Sequence, residues 1–253
     1  MVRHKVALGL LLTSLQPALF QPYQLIREYN SSNVFKEFRF FTDPDPTSGT
    51  VQYVPFETAA STGLTGNGSD LIYLGVDKSN VYMPVGPGRP SARLESWMAF
   101  TEGLFVIDLT HDCWLWSTAG LGDWPADGEI DIIENVNDAC INNVALHTTG
   151  NYTVTETTNQ TGLWGSTDYN IAHDENQGCA ITITEPFNYD AEFNANGGGM
   201  YAMEWTSNVV RIWFFPPTGV SDGLRDDYDG IPDPETFSIP SASFAGPCSD
   251  PLG

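Results

Sequence analysis

Gly128-Glu129-Ile130-Asp131-Ile132-Ile133-Glu134 sets three carboxylates among three isoleucines, and the distribution of its side chains decides what fold can carry it. In an extended strand alternate side chains share a face, so Glu129 and Asp131 point one way while Ile130 and Ile132 point into a core on the other. Strict alternation would then put Ile133, and not Glu134, beside the first two acids. One extra residue accommodated as a β-bulge returns Glu134 to the carboxylate face, and bulges re-aim side chains beside active sites. A helix fails on geometry, because positions five apart lie well off a common face. A calcium loop intersperses Gly and Asn with its acids, which three isoleucines do not suit.

Outward from this strand, short runs of β-branched and aromatic residues recur at 51–54, 71–76, 103–109, 144–148 and 209–215. Asp43-Pro44-Asp45-Pro46, Gly86-Pro87-Gly88, Gly197-Gly198-Gly199 and Pro216-Pro217 punctuate them, since Pro fixes φ and Gly permits positive φ. The pattern predicts an all-β chain of two packed antiparallel sheets, a jelly roll or related sandwich, in one domain. The polar segment 57–70 reads as a surface loop with a short helical turn around 58–60.

Ten Lys plus Arg against 32 Asp plus Glu give a formal net charge of −22, a field that repels phosphate backbones and anionic membrane surfaces. Nucleic acid, membrane and acidic polysaccharide are therefore poor partners, whereas a neutral glycan is compatible. Arg3, His4 and Lys5 precede the apolar run 6–15, the order of a secretory signal peptide, and the run is too short to span a bilayer. The expected organisation is a signal peptide over 1–20 and a single domain over 21–253, in a secreted, extracellular or cell-wall protein. Sequons at Asn30, Asn67, Asn151 and Asn159 agree with N-glycosylation. Cys113, Cys140, Cys179 and Cys248 have no C-x-x-C spacing, which argues against a zinc ribbon or thioredoxin-like motif, and no metal or cofactor is predicted.

Three like charges in a row cost stability through repulsion and desolvation, so a purely structural strand has little reason to hold them. A retaining glycosidase needs two carboxyls about 5–5.5 Å apart, one attacking the anomeric carbon and the other protonating the leaving oxygen. A bulged pair on one strand can supply that spacing. Glu129 is assigned as nucleophile, Glu134 as acid/base with a raised pKa, and Asp131 as the residue that orients the nucleophile. Trp116 and Trp124 lie close to the acidic strand and offer indoles for a sugar face, whereas Trp114 and Trp213 are more simply explained as core. His147 falls on the next strand, within reach of the carboxylates.

Together these residues resemble glycoside hydrolase family 16, and within it the fungal endo-1,3(4)-β-glucanase (laminarinase-like) group. The resemblance rests on 128–134, on Trp124-Pro125 before it and Leu146-His147-Thr148 after it. It extends to Phe40-Phe41-Thr42, Gly75-Val76-Asp77, Gly88-Arg89-Pro90-Ser91-Ala92-Arg93 and the run from Gly197 to Ser207. It implies a concanavalin-like β-jelly roll, action on β-glucan, retaining endo-hydrolysis of β-1,3 or mixed β-1,3/1,4 linkages, and catalysis by the same three carboxylates; separately, a monomer is expected. Trp116, Trp124 and His147 match positions lining the cleft, and Arg93 and Glu204 are assigned to it as well.

The chain also departs from the group. It passes directly from Leu109 to Thr110-His111-Asp112-Cys113-Trp114 where members carry a longer segment, and it has Asn135 where Gly usually follows the acid/base. It stops at Gly253 where members continue, so the resemblance implies that C-terminal closing strands are missing and that Cys248 lacks its usual partner. Two alternatives to hydrolysis stay open: a catalytically inactive β-glucan-binding protein, and a glucan transglycosylase sharing the covalent intermediate.

Overall fold

The computed structural model describes residues 23–46, 49–68, 71–83, 85–111, 124, 128–134, 139–148, 159–168, 178–225 and 230–245, with the backbone alone of 115–118. The signal-peptide segment, Cys113, Cys248, Trp114, Asn135 and Asn151 lie outside these residues. Among the described residues, six short strands make three two-stranded ribbons. They are β1 (Phe38–Phe40) with β6 (Leu94–Ser96), β2 (Val51–Tyr53) in parallel with β5 (Arg89–Ser91), and β3 (Thr65–Asn67) with β4 (Ile72–Leu74). Between β2 and β3 the expected helical turn appears as a helix over Phe56–Ser61, whose Ala59 is fully buried.

The body of the molecule is two antiparallel sheets. The first is built from β7 (Gly103–Leu109), β13 (Gly199–Trp205), β14 (Val209–Phe215) and β15 (Ala242–Ala245), in the order β15-β14-β13-β7. The second takes β8 (Leu115–Thr118), β9 (Glu129–Glu134), β10 (Asn143–His147), β11 (Leu163–Ser166) and β12 (Cys179–Thr182), in the order β11-β12-β10-β9-β8. Period-two alternation explains how the sheets meet. Tyr201, Met203 and Trp205 of β13 and Val210, Ile212 and Phe214 of β14 pack in one cluster with Ile130, Ile132, Ile133, Val144, Leu146 and Ile181 of the second sheet.

The outward residues of the first sheet find a second apolar layer. Ala202, Trp213 and Phe215 pack against Phe237, and the Trp213 indole donates to the Ser238 carbonyl at 2.8 Å. The hairpin joining β13 to β14 closes through Thr206, whose hydroxyl accepts from the Val209 amide at 3.2 Å, so a side chain supplies the turn. Gly198 precedes β13 at φ +93°, and a Cβ there would fall 1.9 Å from the Leu109 carbonyl oxygen. Only glycine lets β13 enter the sheet so close to the end of β7.

Candidate active site

The expected bulge is visible in the register on both flanks of β9. Towards β10, Glu134 faces Asn143 and Asp131 faces Ala145, so three steps on β9 match two on β10. Towards β8, Ile133 faces Leu115 and Asp131 faces Trp116, two steps against one. The extra residue belongs to β9 in each case. Ile132 and Ile133, consecutive in sequence, therefore both enter the intersheet core, at 6% and 1% exposure. Glu134 emerges with Glu129 and Asp131 on the opposite face.

Once there, the carboxylates are tied to neighbours from separate elements. The Trp124 indole N–H donates to Glu129 Oε2 at 2.6 Å. His147 stands opposite Glu129 across the β9–β10 pair, and its Nε2 lies 2.9 Å from Oδ2 of buried Asp131. The other imidazole nitrogen, Nδ1, is buried without a hydrogen-bond partner among the described residues. Gly178 covers it at φ +64°, where a Cβ would sit 2.6 Å from Nδ1. The ring is thus held by a bond on one side and by backbone contact on the other.

Electrostatics separate the two glutamates. Burial pushes the Glu134 pKa up, the charges of Asp131 and Glu129 push it further, and a hydrogen bond donated by protonated Glu134 to Asp131 adds to this, bringing it to about 7. Glu129 is also raised, first by burial and then by Asp131, but the Trp124 hydrogen bond and the positive charges of His147 and Arg93 oppose the rise. For His147, burial disfavours the cation. The hydrogen bond and charge of Asp131, with Glu129 and Glu134 behind, outweigh burial and raise its pKa. One carboxyl is therefore poised to hold a proton beside another that gives its own up more readily.

Arg93 lies between β5 and β6, its guanidinium 4.3 Å from the Phe41 ring centroid and 5.5 Å from that of Tyr53, and it pairs with Glu95 at 3.1 Å. Stacking fixes the charge where Glu129 feels it. Trp116 pairs by its backbone with Asp131, and its side chain lies outside the described residues.

Glu204 does not belong to the cleft. On β13 the residues Tyr201, Met203 and Trp205 face the other sheet, so Glu204 faces outward with Ala202, on the far side of the molecule from β9. There it accepts from Arg211 Nε at 2.7 Å and from the Tyr23 hydroxyl at 2.8 Å, and Arg211 stacks over Trp213. Buried Glu204, paired with the partly exposed Arg211, ties the N-terminal segment to the outer layer. Trp205 and Trp213 are core, at 4% and 1% exposure. A residue absent from the sequence reading stands beside the bulge instead: Asn142, fully buried and bonded to the β9 backbone. Its only sequence signal is a polar doublet, Asn142-Asn143, at the root of an otherwise apolar strand.

Residues 38–251 match the model of the XgeA-like catalytic domain of glycoside hydrolase family 16. The chain belongs to glycoside hydrolase family 16. Among curated proteins, this family 16 chain is 39% identical over 247 residues to a probable endo-1,3(4)-β-glucanase of Neosartorya fischeri, covering 93% of the chain and 37% of the relative. To the endo-1,3(4)-β-glucanase xgeA of Emericella nidulans it is 38% identical over 237 residues, 90% of the chain and 37% of the relative. It thus spans little more than a third of these relatives. Among solved structures, an elongating family 16 β-1,3-glucosyltransferase superposes with a TM-score of 0.80 at 38% identity, covering 87% of this chain and 75% of that one. Laminarinase 16A from Phanerochaete chrysosporium, in complex with 6-O-glucosyl-laminaritriose, gives 0.80 at 33% identity, covering 88% and 78%. The two packed sheets are the family 16 β-jelly roll.

Proposed function

We propose that this domain is a retaining endo-β-glucanase acting on β-1,3 or mixed β-1,3/1,4 linkages. The observation that carries it is the β9 bulge, which sets Glu129, Asp131 and Glu134 on one face with Glu134 protonated up to about pH 7. Glu129 attacks the anomeric carbon while Glu134 gives its proton to the leaving glycosidic oxygen. The glycosyl–Glu129 ester then yields to water, whose proton returns to Glu134. Burial first, and then the neighbouring charge of Asp131, which is bonded to His147, keep Glu134 protonated before the first step. The Trp124 N–H orients Glu129, and its half-exposed indole offers a stacking surface for a glucose ring.

A second reading, transfer of the glycosyl unit to another sugar, is favoured by the similarity to an elongating β-1,3-glucosyltransferase and shares every step up to the ester. Secretion and N-glycosylation are consistent with the exposure of Asn67 and Asn159, and the −22 charge favours a neutral glycan over nucleic acid or membrane. We infer a monomer. The test is incubation with laminarin and barley β-glucan, following reducing ends and, by NMR, the anomer first released. β-Anomeric ends support the proposal, chains longer than the substrate favour transfer, and binding with neither product leaves a glucan-binding protein.

A further inference from the structure

We infer that Asn142 is a positioning residue that clamps the β9 bulge and so sets Glu134 against Asp131. The inference rests on the proposed role of Glu134 as acid/base. A bulge removes backbone groups from the strand ladder, and buried backbone groups need partners. The Asn142 amide spans the gap: Nδ2 donates to the Ile132 carbonyl at 2.8 Å and Oδ1 accepts from the Glu134 N–H at 2.9 Å. One side-chain amide thereby supplies the donor and acceptor that a partner-strand peptide would otherwise present. It reaches the backbone of the acid/base itself and the two-residue step that turns Glu134 outward.

The clamp is itself held. Asn142 stands just before β10, its carbonyl accepts from the Ile183 amide at 3.1 Å, and its N–H donates to Asn188 Oδ1 at 2.6 Å. Asn188 is 3% exposed, donates through Nδ2 to the Glu185 carbonyl, and accepts at its own carbonyl from the Tyr201 hydroxyl at 2.6 Å. It sits in a turn where two non-glycine residues, Phe187 and Asp190, have φ of +65° and +55°. Such conformations persist only where the surroundings over-determine them, and here they deliver one amide oxygen to the base of the clamp. Without the clamp, the Ile132 carbonyl and the Glu134 N–H turn to water for partners, and the loosened end of β9 carries Glu134 away from Asp131 and Glu129 towards solvent.

The experiment compares Asn142→Ala with the unaltered chain by two readouts. In a ¹³C-carboxyl NMR titration, Glu134 should move from its raised value toward that of an ordinary glutamate as it leaves Asp131 and Glu129, with His147 the one cation facing them from β10. In kinetics, kcat on laminarin should fall about 10²-fold, in the range of lost acid catalysis, with KM within about twofold. A 2,4-dinitrophenyl laminari-oligosaccharide, whose leaving group needs no proton, should lose less than about threefold in glycosylation. Where Asn142→Ala does not fold, Asn142→Asp takes its place: its protonated carboxyl presents the same donor and acceptor at acid pH and loses the donor on ionising. Its Glu134 signal should match the unaltered chain only below that ionisation. An unchanged Glu134 titration in a folded variant, or equal losses on the two substrates, overturns the inference. If the unaltered chain hydrolyses neither substrate the proposed function fails, and the NMR titration still decides the clamp.

Discussion

Glu129 and Glu134 are the same amino acid five positions apart, and their environments assign them different work. The proposed hydrolysis needs Glu129 ionised and Glu134 protonated, so the two pKa values bound a window. The acidic limb of kcat/KM should lie above the ordinary carboxylate value, because burial and Asp131 raise Glu129, and the basic limb should lie near 7, where Glu134 loses its proton. Trp124→Phe removes a hydrogen bond that favours ionised Glu129, so the acidic limb should move to higher pH while the basic limb stays. A pH series of initial rates on laminarin checks both, and activity still rising above pH 8 would contradict the assignment of Glu134. Glu134→Gln should lower kcat on laminarin by about 10²–10⁴-fold. The carboxylates were legible from residue type and spacing alone. Their protonation states were not, since those depend on burial by groups remote in sequence.

At the scale of the element, β9 works because its neighbours have shaped themselves around it. Counting residues was enough to require a bulge, since three acids cannot share a strict two-residue period. Asn142 escaped that reasoning because its bonds run to a turn near residue 188, and strand periodicity carries no signal for contacts between loops. Gly178 is similar: only the folded sheet shows that it lies over the His147 ring. Any side chain there meets Nδ1 and must also hold a left-handed backbone. Gly178→Ala should therefore destabilise by more than about 1 kcal/mol, a fall in Tm of at least about 2–4 °C. It should also turn His147 away from Asp131, lowering the imidazole pKa toward its ordinary value. Calorimetry and a ¹H–¹⁵N titration of the ring read the two effects, and a Tm within a degree with an unshifted ring would show that the contact relaxes without cost.

For the whole molecule, the chemistry of the site sets the slope of stability with pH. Glu134 binds its proton more tightly folded than unfolded, so the native state holds the extra proton between about 4.5 and about 7, and stability falls as pH rises through that interval. The raised pKa of His147 acts in the same direction: its contribution is complete below the ordinary histidine value and disappears as pH climbs through the folded one. Self-repulsion of a chain carrying −22 adds to the trend. Urea unfolding should thus show greater stability at pH 5 than at pH 8. Glu134→Gln should be the more stable protein at pH 8 and lose that advantage towards pH 4, whereas a constant difference across the range would mean that Glu134 is not held protonated by its surroundings.

Strand periods, turn residues and the acidic run were enough, taken from the chain itself, to determine an all-β sandwich and a bulged strand with three carboxylates on one face. Alternation of side chains is a local property of extended backbone, independent of what the strand meets. Which face of a strand looks into the cleft is not local, and Glu204 shows the difference: its period is readable, but only the packing of Tyr201, Met203 and Trp205 against the other sheet turns it to the outer layer and to Arg211. The clamp by Asn142, the seat of His147 under Gly178 and the proton on Glu134 were likewise decided by tertiary structure. Each depends on backbone or charge brought within a few ångströms from segments that no sequence period connects.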